Sequence, residues 1–259
     1  MLSDKVMNSV MCLFIVLVSG LVVASKASGG VILDAGIRET YEDNLNGSPA
    51  DADKKGDFYT TVSASAGGYT EVVDGTYLFL RGDAATYLYS KYNDLNATLG
   101  GISAGVYKEL GDVFSAQLAL KGKLKNFKGT LRDSSAYGGT FELKQQISPD
   151  FWIKEGYEYE KNDADSRLFS YNGHSVGVWS GYLITPKTMF NLGYSYLTRK
   201  YEDAFGFRTK SHTISAGIVR ELVKKVYVNL GYDRQFNDSN VANTDYKNNI
   251  YTLGVTYSF

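Results

Sequence analysis

Between Tyr251 and Phe259 every second side chain is large and apolar, and those between are small or polar, so Tyr251, Leu253, Val255, Tyr257 and Phe259 share one face of an extended segment. The same period-2 alternation recurs along the chain, punctuated by turn signals at Asp74-Gly75, Gly111-Asp112, Pro149-Asp150, Pro186-Lys187 and around Val223-Lys224, about 37 residues apart. Each unit reads as a long strand, a polar loop and a second long strand. A propeller blade would divide a similar length among four short strands, so the repeat is a tandem of hairpins.

The polar loops fall near Glu42–Asp57, Lys91–Asn96, Asn126–Ala136, Lys161–Asn172, Lys200–Thr209 and Asn237–Lys247. Six loops alternating with short turns predict about twelve strands, each longer than the roughly 9–11 residues a tilted strand needs to cross hydrocarbon. Beyond the N-terminal segment no apolar run approaches the length of a membrane helix. A membrane-spanning chain of this kind must therefore close into a barrel, which leaves no backbone group unpaired. The expected fold is all-β, an antiparallel up-and-down transmembrane β-barrel spanning residues 28–259, with both termini periplasmic and the longer loops extracellular. A soluble β-sandwich is the alternative that alternation alone leaves open.

Residues 1–27 read as a cleaved signal peptide: Lys5 precedes an apolar run from Val10 to Val23, and Ser25-Lys26-Ala27 offers small residues where a signal peptidase cuts. Cys12, the one cysteine, falls inside that segment, and Met11 before it does not suit lipid attachment. The whole chain carries 27 Lys+Arg against 28 Asp+Glu. Losing Lys5, Lys26 and Asp4 with the leader leaves a formal charge of −2, which argues against a nucleic-acid partner.

Tyr227-Val228-Asn229-Leu230-Gly231-Tyr232-Asp233-Arg234, the Asn237-Asp238-Ser239-Asn240 loop and the closing strand resemble the β-barrel porin families of Gram-negative bacteria. The pattern is also similar to the barrel of surface lipoprotein assembly modifiers, although the chain shows no helical-repeat stretch of the kind those proteins carry. The resemblance implies an integral outer-membrane protein whose partners are membrane lipid, lipopolysaccharide and the barrel assembly machinery. Tyr257 and the terminal Phe259 resemble the signal which that machinery recognises.

Parity nominates the pore lining. In the fifth strand Phe114, Ala116, Leu118, Leu120 and Leu124 share the lipid face, which turns Lys121, Lys123 and Lys125 inward. In the third strand Leu78, Leu80, Ala84 and Leu88 face lipid, which turns Arg81, Asp83, Tyr87 and Tyr89 inward. Arg81 and Asp83 are expected to pair with neighbours among Asp34, Arg38, Glu142, Lys144, Lys154 and Glu158. Tyr87 and Tyr89 are candidates for stacking sugars or for filling space. Ala97 and Leu99 fall out of phase with Ile102, Ala104 and Val106, which predicts a bulge at Gly100-Gly101. Glu155 shares the parity of Ile153 and Tyr157, so it stands near the periplasmic interface or the register there is shifted.

Catalytic and metal signatures fail on context. Gly173-His174-Ser175-Val176-Gly177 matches G-x-S-x-G, but that motif needs a strand-to-helix turn and these residues open a strand. Asp51-Ala52-Asp53-Lys54-Lys55-Gly56 begins like a calcium loop, yet Lys55 takes a ligand position and Val62 the closing one. No cofactor or metal is expected. The reading is a porin-like channel for passive or weakly selective diffusion of small hydrophilic solutes, not an enzyme. The alternative is an assembly or secretion partner for surface polysaccharide or lipoprotein, without an open pore.

Overall fold

The computed structural model describes residues 29–128, 131–202 and 206–259. The signal-peptide reading of residues 1–27, with Cys12, lies outside them. Twelve strands follow in order: β1 (Gly29–Glu42), β2 (Asp57–Val73), β3 (Thr76–Tyr89), β4 (Ala97–Leu110), β5 (Phe114–Phe127), β6 (Ser134–Ser148), β7 (Phe151–Ala164), β8 (Tyr171–Thr185), β9 (Thr188–Tyr201), β10 (Arg208–Val223), β11 (Val226–Ser239) and β12 (Tyr246–Ser258). Each pairs antiparallel with its sequence neighbours. β12 returns to β1, from Asp34 opposite Ser258 to Glu42 opposite Ile250, and the sheet closes. Closure satisfies the terminal strands, which an open sheet would leave as sticky edges.

The wall is inside out relative to a soluble protein. Leu118, Leu120 and Leu124 are 61%, 75% and 60% exposed, whereas the buried apolar residues among those described are Ala66, Ala97, Ala119, Ala136 and Tyr171. A belt of exposed apolar side chains, Leu, Val and Ile on eleven strands and Tyr157 on β7, is stable only against hydrocarbon, and this excludes the sandwich. One end of the barrel carries the short turns, the other the loops. At the loop end an outer chain of rings runs from Phe58 through Tyr41 and Tyr251 to Tyr232, with centroid spacings of 4.7, 6.4 and 5.2 Å. Two further clasps continue it: Tyr157 with His174 and Tyr194 with His212, whose hydroxyl-to-Nδ1 distances are 2.8 and 2.7 Å.

Two expectations need correction. The ladder of β4 with β3 and β5 runs without a break through Gly100 and Gly101, so there is no bulge there and Leu99 faces inward. An inner wall tolerates an isolated apolar side chain, and parity is therefore kept. The register shifts lie instead at Val72, Ile147, Ile184 and Leu222, each just before a turn and each about half exposed. The loops are also shorter than the polar stretches suggested. β5 runs to Phe127 and β7 to Ala164, because ladder hydrogen bonds continue above the apolar belt with polar side chains.

Two of the two-residue turns share a device. In β2–β3 the Glu71 carboxylate accepts the Gly75 N–H at 2.9 Å, and in β10–β11 the Glu221 carboxylate accepts the Lys225 N–H at 3.2 Å. Both acceptors serve a residue with positive φ, 63° at Gly75 and 71° at Lys225.

Candidate functional site

The barrel interior holds the charged side chains, and β5 with β7 dominates one side of it. β6 lies between these strands and presents only Ala136, Gly138 and Thr140 inward at this level, so side chains from β5 and β7 meet across it. Lys121 lies 3.4 Å from Glu158, Lys123 3.5 Å from Glu158 and 2.7 Å from Glu160, and Lys125 3.1 Å from Glu160. Lys125 also donates to Asn162 at 2.9 Å, and Tyr171 Oη donates to Glu160 at 2.6 Å. The Arg199 guanidinium stands 4.8 Å from the centre of the Tyr171 ring. Three lysines thus share two carboxylates, and with Arg199 beside them the ladder keeps a positive excess. Pairing of this kind in a wet lumen is worth at most about 1 kcal/mol per contact, so its effect is on the local field more than on stability.

The opposite wall is mixed in sign. Arg81 donates to Ser65 Oγ at 2.9 Å and reaches Asp34 at 4.0 Å, while Asp34 accepts from Ser258 at 2.6 Å and ties β1 to β12. Asp83 makes no ion pair among the described residues. Its carboxylate lies over Gly101, where a Cβ would approach within 2.9 Å. Arg38 faces inward beside Thr61 and Gly254, also unpaired among the described residues. Lys154 meets Glu142 at 3.1 Å. Of the partners expected for Arg81 and Asp83, the structure joins only Asp34 with Arg81; Lys154 pairs with Glu142 and Glu158 with Lys121 instead, and Asp83 and Arg38 make no ion pair among the described residues.

Two interior cavities follow from this lining. The one toward the turn end is about 640 Å³, bordered by Tyr69, Tyr77, Phe79, Arg81, Tyr107, Glu109, Gln117 and Lys121. The other, about 430 Å³, is bordered by Lys123, Lys125, Glu158, Glu160, Tyr171 and Arg199. Asp83 borders both and so stands between the two chambers.

Tyr87 and Tyr89 pack on Tyr59 at 6.1 and 4.7 Å and border neither chamber, so they fill space near the loop end. Glu155 lies on the outer wall opposite Leu143 and Val178 with the register intact on both sides, five residues into β7 from the turn end. Sequence reasoning missed Glu160, Tyr171 and Arg199. Glu160 shares the parity of Lys154 and Glu158 and could have been found with them. His174 and Ser175 point to opposite faces of β8, His174 outward to Tyr157 and Ser175 into the lumen, so the G-x-S-x-G match cannot assemble a dyad. Among the described residues no group of three or more His, Cys, Asp or Glu side chains is placed to hold a metal ion.

A closed antiparallel barrel of twelve strands with an apolar exterior and a charged, chambered interior has the architecture of outer-membrane channels. No protein-family model and no curated protein matches the chain. Solved structures do match in fold. The COG4313 outer membrane channel from Pseudomonas putida F1 is 10% identical with a TM-score of 0.65, covering 89% of this chain and 96% of that one. The NanC porin is 12% identical with a TM-score of 0.54, covering 87% and 100%. The KdgM porin in complex with disordered oligogalacturonate is 11% identical with a TM-score of 0.52, covering 87% and 99%. Identities this low establish a shared fold.

Proposed function

We propose that the chain is an integral outer-membrane channel through which small hydrophilic solutes diffuse passively, with weak selectivity and without enzymatic chemistry. The observation that carries this reading is the pair of chambers on either side of Asp83 inside a barrel whose outer wall is apolar. Charges of both signs line the path, so size and local field select more than net charge does.

The turns face the periplasm and the loops the exterior, since outer-membrane barrels keep their longer connections outside. In that orientation both termini are periplasmic. Lys200, Arg208, Lys210, Arg234 and Lys247 then point outward at the loop end, at the level of lipopolysaccharide phosphates. Phe259 donates its N–H to the Leu33 carbonyl at 2.9 Å and packs its ring on Tyr257 at 4.6 Å, which presents both to the barrel assembly machinery at the closing seam.

Liposome swelling tests the function. Vesicles carrying the folded barrel should swell in small sugars and amino acids at rates that fall with solute size, and impermeable vesicles would overturn the reading. Protease added to intact cells should cut within residues 43–56 and spare Asp74-Gly75; the reverse pattern inverts the topology.

A further inference from the structure

The chain contains two tryptophans, Trp152 on β7 and Trp179 on β8, and both lie inside the barrel on the turn-end half of its wall. Their surroundings are unusual. A Cβ on Gly181 would come within 2.4 Å of Trp152 Cε2. Cβ atoms on Gly177, Gly193 and Gly156 would come within 2.4, 2.5 and 3.1 Å of the Trp179 ring. Each indole therefore rests on bare backbone, which only glycine provides at that distance. Both tryptophans remain partly exposed, and a recess of about 290 Å³ opens beside them.

The recess is walled mostly by apolar surface, with a few polar groups at its edge. Asn191 and Ser215 offer amide and hydroxyl groups. Lys154, held by Glu142, stands 5.2 Å from the Trp179 centre, and Lys144 stands 5.4 Å from the Trp152 centre. A flexible lysine stem can swing aside, whereas a ring seated on the wall cannot.

We propose that Trp152 and Trp179 form a stacking platform for pyranose rings, so that the permeating solutes are saccharides. This proposal rests on the channel reading and names its solute class. An indole face is electron-rich and attracts the polarised C–H groups on the flat side of a pyranose. The ring's hydroxyls both donate and accept, which matches the Asn191 amide, the Ser215 hydroxyl and the Lys154 ammonium at the recess. An aromatic carboxylate would use the ring and one cation and leave the rest of that rim unmatched. The recess lies at the small end of ligand sites, roughly 300–1,000 Å³, which suits one sugar unit at a time.

Because both tryptophans sit on the platform, intrinsic fluorescence reports on it directly. The folded full-length barrel, in a detergent without a sugar head group, should give a saturable fluorescence change with maltotriose. The acyclic polyol sorbitol should give none. Trp152→Phe and Trp179→Phe each leave one reporter, and each should still respond with weaker binding. Silence toward maltotriose in a barrel that shows heat-modifiable mobility would overturn the proposal, as would an equal response to sorbitol or a response to benzoate alone. Conductance measured on the same preparation separates the two ideas: a saturable sugar response in a non-conducting barrel refutes the channel reading and keeps the platform.

Discussion

Lys123 Nζ lies 2.7 Å from a Glu160 carboxylate oxygen although their strands are separated by β6, because Gly138 between them leaves the inner surface open. The lysine row is thereby held against one side of the channel and balanced in part by acids. Its contribution to selectivity is the excess charge of Lys121, Lys125 and Arg199, reduced by Glu158.

Replacing Lys121, Lys123 and Lys125 together by Glu should turn this wall strongly negative and move the reversal potential toward cation preference. One lumenal charge about 4 Å from an ion contributes on the order of 1 kcal/mol even in a water-like dielectric, or about fivefold in relative permeability. Leu120→Lys is the control on the outer wall, where a midplane lysine costs about 2–4 kcal/mol, and it should impair folding instead. Bilayer recordings in a salt gradient decide; unchanged ion preference in the triple variant removes these lysines from the conduction path.

Lys225 adopts a φ of 71°, which costs a side-chain-bearing residue about 1–2 kcal/mol and glycine almost nothing. Lys225→Gly should therefore raise stability by about 0.5–1 kcal/mol once the larger unfolded-state entropy of glycine is deducted. Urea unfolding in lipid vesicles measures it. An unchanged or lowered midpoint would show that the Glu221 hydrogen bond already relieves the strain.

Strand number, turn positions and the sidedness of β3 and β5 are legible in the sequence because period-2 alternation and Asp-Gly or Pro-Asp turns are local signals. What fails is what depends on neighbours. Leu99 looks out of phase only if inner walls are assumed polar, and Gly101, one of the pair that suggested a bulge, instead clears space beside Asp83. The Lys125–Glu160–Tyr171 cluster joins strands that parity alone cannot bring together. The flat seating of Trp179 depends on glycines from β7, β8 and β9, which no single segment displays.

Deleting Phe259 should lower the yield of folded barrel. It removes the N–H donated to Leu33 and the ring packed on Tyr257 at the seam, and chains left unassembled in the periplasm become protease substrates. Quantifying the heat-modifiable form in outer-membrane fractions checks this. Wild-type yield would mean that the seam closes and is recognised without the terminal residue.

Asp83 borders both chambers and stands on the path a solute would take between them. The chain's one cysteine is Cys12, inside the expected leader, so a mature barrel with Asp83→Cys carries a single thiol. Reaction with a bulky, charged methanethiosulfonate reagent should sharply reduce conductance through single barrels in planar bilayers, while the same treatment of a Leu120→Cys barrel should leave it unchanged. Full conductance after modification at position 83, verified by mass, would contradict a solute path through this interior.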